Sequence, residues 1–233
     1  MDREAHHAIH VLRLRRGERV AVLDGAGREF LCEVKDLDRD AVNLAVVQEN
    51  FVPPLPCQIT LLQAVPKARL FESIVQKATE LGVARIVPIL SERVVAHLDD
   101  EDSAQKADKW RQVAVEAIKQ CGSPWLPRIE TPVTPKQFLA RKERFELPLI
   151  ASLQSDRRHP RECLREFQAE CGRLPASVCV WIGPEGDFTP AEMNTIKTEG
   201  ALPITLGRLV LRSETAAVYS LSILNYELQS PLT

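Results

Sequence analysis

Two glycine-containing stretches near the C-terminus, about twenty residues apart, hold the residues best suited to chemistry. The first is Ile182-Gly183-Pro184-Glu185-Gly186-Asp187. The second is Leu206-Gly207-Arg208-Leu209-Val210-Leu211-Arg212-Ser213-Glu214-Thr215-Ala216. Each follows a strand-like apolar run and precedes a helical segment. Small residues at such a turn let backbone amides and carbonyls approach a ligand closely. A phosphate loop would carry a Walker lysine with serine or threonine, or a GxGxxG turn opening a helix. Neither pattern is present, and Glu185 and Asp187 would repel a polyphosphate. A ligand that is neutral or cationic at that point fits better. S-adenosylmethionine (SAM) has a sulfonium, an adenine edge that backbone groups can read, and no phosphate. Taken alone, the first stretch reads as a plain strand-to-helix turn; the second, with Arg212 and Glu214 at a helix start, weighs toward a ligand cleft.

The elements that must position these loops alternate strand and helix. Gln58 to Val65 is an apolar strand, and Leu70, Ile74, Val75, Ala78 and Leu81 follow helical spacing up to a capping Gly82. Arg85 to Leu90 is the next strand. Gln105 to Gln120 is a second amphipathic helix ended by Gly122, and Pro135 to Phe145 a third. Leu147 to Leu153 and Ser177 to Ile182 are near-continuous apolar runs, as expected of parallel strands covered on both faces. Thr189-Pro190-Ala191-Glu192 is a capping box for a helix that ends at Gly200. Leu202 to Leu206 is a last strand and Glu214 to Leu228 a final helix. This is an α/β domain with a mainly parallel sheet. Residues 1–52 read differently: strands at Arg19 to Leu23, Glu29 to Val34 and Ala41 to Val47, preceded by a short helix over His6 to Leu14. The Pro53-Pro54-Leu55-Pro56 break separates a domain at 1–52 from one at 57–233.

The 233-residue chain has a formal charge of −2, so its total does not advertise a nucleic-acid partner. Basic residues are nevertheless clustered: Arg13, Arg15, Arg16 and Arg19; Arg141, Lys142 and Arg144; Arg157, Arg158 and Arg161. The acidic run Asp99 to Asp102 offsets them in the total without sitting among them, so a local basic face is compatible with the overall charge. Six scattered cysteines without a CxxC pair read as reduced thiols in a cytoplasmic protein. No zinc spacing, signal region or membrane-length apolar run is present, and no partners accompany His6, His7 and His10 as a metal set.

Ile182 to Gly186, with Leu206-Gly207 and Leu209 to Ala216, resembles the RsmE family of 16S rRNA (uracil-N3)-methyltransferases. The likeness extends in order through Gln76-Lys77-Ala78-Thr79-Glu80-Leu81-Gly82, Pro88, Ser91-Glu92-Arg93 and Lys119-Gln120-Cys121-Gly122. In the N-terminal part it includes His6-His7, Val11-Leu12-Arg13 and Gly17. The resemblance implies a SPOUT-type parallel sheet with a C-terminal trefoil knot, preceded by a small PUA-like β-barrel, in a cytoplasmic homodimer. Family members begin with a further strand before the histidine pair, so the barrel is expected to be short of that strand. Two further departures are Ser123-Pro124-Trp125, where many members carry an arginine, and Arg208, where proline often stands.

The activity implied is SAM-dependent methylation of uridine N3 in small-subunit rRNA, with 16S rRNA, free or within the assembled subunit, as the partner. A ribose 2′-O-methyltransferase, or a non-catalytic rRNA-binding assembly factor, are the alternatives on the same scaffold. By position the cofactor would lie among Ala151-Ser152-Leu153, Gly183 to Gly186 and Leu206 to Thr215. The residues implied are Leu153, Ile182, Gly183, Pro184, Glu185, Gly186, Leu206, Gly207, Leu211, Thr215 and Ala216. Uracil N3 must lose a proton, so a base, or a cation favouring the anionic ring, is needed. Arg212 would stabilise the negative charge, and Glu214 would assist proton removal or orient Arg212; the alternative is a structural ion pair at a helix start. Arg93 is a candidate for RNA phosphate or the target base, or a surface arginine. Arg13, Arg15 and Arg16 would meet phosphate. Trp125 either stacks on a base or packs down.

Overall fold

The computed structural model describes residues 3–38, 41–66, 70–93 and 100–229. Asp99 and the side chains of His7 and Asp100, which the sequence reading included, lie outside the described set. The chain divides into two compact units. One holds the described residues up to Pro54 together with Gly122–Trp125; the other holds Leu55–Cys121 and the described residues from Leu126 onward.

The first unit is an antiparallel meander, β1 (Arg19–Leu23), β2 (Arg28–Leu37) and β3 (Val42–Phe51), in the order β1-β2-β3. The β1–β2 turn is held by Asp24, whose Oδ1 accepts from the amides of Ala26 at 2.7 Å and Arg28 at 3.0 Å. The helix expected over His6 to Leu14 is instead a short α1 (Arg3–His6) followed by a π-helical turn at His7–Val11. It cannot extend further, because Arg13 adopts a left-handed φ of 53°. Trp125 is packed down. Its indole Nε1 donates to Val52 O at 3.0 Å, and its ring meets Phe51 edge-on at 6.2 Å. A Cβ at Gly27 would lie 2.5 Å from the indole, so only glycine leaves room for it.

The second unit is a six-stranded, wholly parallel sheet in the order β6-β5-β4-β8-β7-β9. Its strands are β4 (Gln58–Ala64), β5 (Arg85–Ile89), β6 (Arg128–Ile129), β7 (Leu147–Ala151), β8 (Ser177–Ile182) and β9 (Leu202–Ile204). The helices are α2 (Leu70–Glu80), α3 (Asp100–Cys121), α4 (Pro135–Leu139), α5 (Pro160–Cys171), α6 (Pro190–Thr198) and α7 (Ser213–Leu228). Alternate strand residues serve opposite faces. Ile59, Leu61, Val178, Val180 and Ile182 pack with α2, α3, α5 and α7, while Leu62, Cys179 and Trp181 pack with α4 and α6. Burial on both faces is why these strands read as continuous apolar runs rather than alternating ones.

Three departures from the sequence reading have physical causes. The helix expected over Pro135 to Phe145 stops at Leu139. Beyond it Lys142 turns left-handed (φ 52°), and Arg141 and Glu143 are held in an ion cluster with Arg85 and Glu130. Helix α5 had no expected counterpart, because its N-cap is His159, whose Nδ1 accepts from Arg161 N at 3.2 Å in place of a hydroxyl or carboxylate. Strand β6, two residues long, is too short to show a period.

Candidate functional site

Strands β8, β7 and β9 lie side by side and parallel, so their carboxyl ends release three loops at one edge of the sheet. Residues 152–159, 183–189 and 205–212 form these loops, and they enclose a cavity of about 560 Å³. That volume lies in the range of small-molecule sites. The end of β7 and the first loop contribute Ala151, Ser152, Leu153 and Arg157. Ile182, Gly183, Pro184, Glu185, Gly186 and Asp187 form a second wall. The third wall runs from Thr205 to Ser213 and adds Ala216 from the first turn of α7.

Of the residues implied for cofactor binding, Leu153, Ile182, Gly183, Pro184, Glu185, Gly186, Leu206, Gly207, Leu211 and Ala216 all line this cavity. Thr215 does not; it sits exposed on α7. Arg212 lines the cavity, whereas Glu214 and Arg93 do not. Arg157, Asp187 and Thr205 are wall residues that the sequence reading did not single out as ligand contacts.

The loops are tied to one another by side chains. Ser213 Oγ donates to Gly183 O at 2.7 Å and accepts from Gln63 Nε2 at 2.8 Å, joining the second loop, the start of α7 and β4. Gln63 is fully buried, and its Nε2 also donates to Ala64 O at 2.9 Å. No motif marks it: a glutamine at the end of an apolar strand carries no local signal. Asp187 joins the first and second loops. Its Oδ1 accepts from Phe188 N at 2.8 Å and its Oδ2 from Leu153 N at 3.3 Å. Its left-handed φ of 69° is one an aspartate tolerates through such local bonds. At Gly183 a Cβ would come within 3.2 Å of Asp187 Oδ1 and of Phe188 N, so a side chain there would press on this tie. The Arg93 guanidinium donates to the carbonyls of Gly186 and, at 3.4 Å, of Asp187, bracing the second loop from outside. Arg157, itself in the first loop and lining the cavity, braces that loop through the carbonyls of Leu153 and, at 3.0 Å, Gln154.

The lining carries three cations, Arg157, Arg208 and Arg212, and two carboxylates, Glu185 and Asp187. Arg212 is exposed at the N-cap of α7 and makes no side-chain cap bond. No ion pair joins it to Glu214 among the described residues, and Glu214 Oε2 is buried without a hydrogen-bond partner. The structural ion pair considered from the sequence is therefore not formed within the chain.

The basic clusters separate. Arg13, Arg15 and Arg16 are exposed and make no side-chain ion pair among the described residues. Arg141 is committed to Glu130 and Glu143, Lys142 to Glu199, Arg158 to Glu166 and Arg161 to Glu227. Buried Cys57 and Cys179 have thiol pKa values pushed up to about 12 by desolvation, which removes them as nucleophiles near neutral pH. Among the described residues no histidine, cysteine or carboxylate cluster could hold a metal, and no helix is long and apolar enough to cross a membrane.

Comparisons with known proteins agree along nearly the whole chain. Residues 53–225 match the family model described as RNA methyltransferase domain, and residues 2–47 the RNA methyltransferase PUA domain. The ribosomal RNA small subunit methyltransferase E of Bacillus subtilis (strain 168) is 30% identical over 227 residues, spanning 96% of this chain and 88% of that protein. Its namesake from Synechocystis sp. is 32% identical, spanning 97% of this chain and 72% of that protein. A Legionella pneumophila methyltransferase solved with bound cofactor SAM is 32% identical, with a TM-score of 0.85 over 96% of this chain and 88% of that one. The Neisseria gonorrhoeae ribosomal RNA small subunit methyltransferase E, solved bound to S-adenosyl methionine, shares the fold at 24% identity, with a TM-score of 0.84 over 97% of this chain and 90% of that one.

Proposed function

The chain belongs to the RNA methyltransferase family, and we propose that it transfers a methyl group from SAM to N3 of a uridine in small-subunit (16S) rRNA. The observation that carries this reading is the three-loop cavity at the ends of β8, β7 and β9, in a chain similar along its length to rRNA small subunit methyltransferases. The residues present suit SAM. The walls include the small residues Gly183, Gly186 and Gly207. Glu185 and Asp187 put negative charge on the second wall, where it would complement a sulfonium, while Arg157, Arg208 and Arg212 lie on the other two walls. SAM supplies an electrophilic methyl carbon; the protein's part is to hold nucleophile and methyl in line and exclude competing geometries.

Arg212 lines the cavity at the start of α7 and has no ion pair among the described residues, which supports a role in stabilising negative charge on the uracil oxygens as N3 loses its proton. Glu214 lies outside the cavity lining, with one carboxylate oxygen unpartnered among the described residues; its part is to orient Arg212 or to assist proton removal. Arg13, Arg15 and Arg16 supply the phosphate contacts. The same reading carries the C-terminal trefoil knot, a domain boundary between 52 and 57, a cytoplasmic location, a homodimer, and 16S rRNA, free or within the assembled subunit, as substrate. Mass spectrometry of digested rRNA, after incubation with the protein and SAM, tests it. A methyl on a uracil base is expected, and one on a ribose would overturn the assignment. Arg212→Ala should abolish transfer while leaving SAM binding measurable; full activity in that variant removes Arg212 from the mechanism.

A further inference from the structure

We propose that Glu192 is a positioning residue for the cofactor loop, acting through Arg93; the inference rests on reading the cavity as a SAM site. The sequence gives Glu192 one task, closing the capping box of α6, and the structure gives it two. Its Oε2 accepts from Thr189 N at 2.9 Å, completing the cap, and from Ser91 Oγ at 3.1 Å. Its Oε1 accepts from Glu92 N at 2.9 Å. Glu192 and Ser91 are both buried, at 8% and 4% exposure, so these bonds are shielded from competing water.

Ser91 and Glu92 lie just beyond the end of β5, and the next residue is Arg93, whose backbone amide contacts Ser91 Oγ at 3.4 Å. Arg93 reaches back to the carbonyls of Gly186 and Asp187, both in the cavity wall. The chain from Asp187 through Phe188 to Thr189 then returns to the cap. The contacts thus close a ring: cavity wall, helix cap, Glu192, β5 exit, Arg93, cavity wall. A cap needs only one carboxylate oxygen, and the second holds the backbone amide of Glu92, the residue before Arg93.

Glu192→Gln separates the two tasks. The amide oxygen can still accept from Thr189 N, whereas the NH2 cannot accept from Glu92 N and sets donor against donor. The experiment compares wild type, Glu192→Gln, Arg93→Ala and the double variant. It follows SAM affinity by calorimetry, kcat and KM for SAM, and amide exchange at 185–188 in ligand-free protein, with circular dichroism as the folding check. Glu192→Gln should weaken SAM binding and raise its KM about fivefold, with a smaller change in kcat, and should speed exchange at 185–188 about tenfold. The double variant should be no worse than Arg93→Ala alone. Unchanged exchange and affinity in Glu192→Gln, or effects that multiply in the double variant, would overturn the inference. Ser91→Ala, expected to show the same pattern at about twofold, replaces Glu192→Gln if the latter does not fold. Failure of the wild type to bind SAM overturns the cofactor reading, while the exchange comparison still decides the role of Glu192.

Discussion

Ser213→Ala removes one oxygen that serves two buried neighbours. The serine hydroxyl accepts from Gln63 Nε2 and donates to Gly183 O. Without it, Gln63 Nε2 keeps only Ala64 O as a partner, and Gln63 has no exposure through which water could compensate. At a net ~1 kcal/mol for each bond, the loss is about 2 kcal/mol. In a domain of this size, that lowers the midpoint of thermal unfolding by about 4–8 °C. Gly183 belongs to the cavity wall, so part of the loss appears as cofactor affinity; about 1 kcal/mol corresponds to roughly fivefold weaker SAM binding. Gln63→Leu, which removes the amide itself, should rescue much of the stability loss in the double variant, because no buried donor is then stranded. Thermal unfolding followed by circular dichroism and calorimetric titration with SAM read both effects. A Ser213→Ala protein that melts within about 1 °C of wild type and binds SAM unchanged refutes the coupling.

Glu130 is 7% exposed and bridges Arg85 Nη2 at 2.6 Å and Arg141 Nη1 at 2.7 Å. Glu130→Gln should therefore cost about 3 kcal/mol in urea unfolding. No member of this cluster lines the cavity, so SAM affinity should be unchanged. Cys121 and Cys171 are exposed and the other four of the six cysteines buried, so a disulfide thiol reagent should titrate two thiols rapidly in native protein and all six only after unfolding. Cys57 and Cys179 ionise near pH 12 when folded, against an ordinary value of 9.0. The unfolded chain thus loses those protons first, and stability should be flat with respect to these groups below pH 9 and fall between 9 and 12. An unfolding series across that range, repeated on Cys57→Ala, checks the sign. Replacing Arg13, Arg15 and Arg16 together by alanine should reduce the salt slope of RNA binding by up to about 3 in log–log terms, with SAM affinity intact. An unchanged slope removes them from the RNA contact.

What the sequence could reveal follows from the range of the forces involved. The parallel strands, the Thr189 capping box and the helix ends at Gly82 and Gly122 depend on neighbours within a few positions, and each appears where local chemistry requires it. The cavity's backbone walls were legible for the same reason, since glycine spacing marks where a main chain can approach a ligand. The residues that fix those walls relative to one another were not. Gln63 and Ser213 are 150 positions apart, and Ser91 and Glu192 are 101 apart. Pairings at that separation leave no periodicity in a single chain. His159 shows the converse limit: its capping bond is local, but imidazole rarely takes that role, so residue type concealed it. Glu192 combines the two cases, because its short-range bond to Thr189 fully satisfies the cap motif and so gives no reason to look for its second oxygen's partner. A buried carboxylate has more acceptor sites than a helix cap uses. That surplus is where long-range ties should be sought around a loop-built site, and it is why Glu192→Gln, rather than a deletion of the side chain, separates capping from positioning.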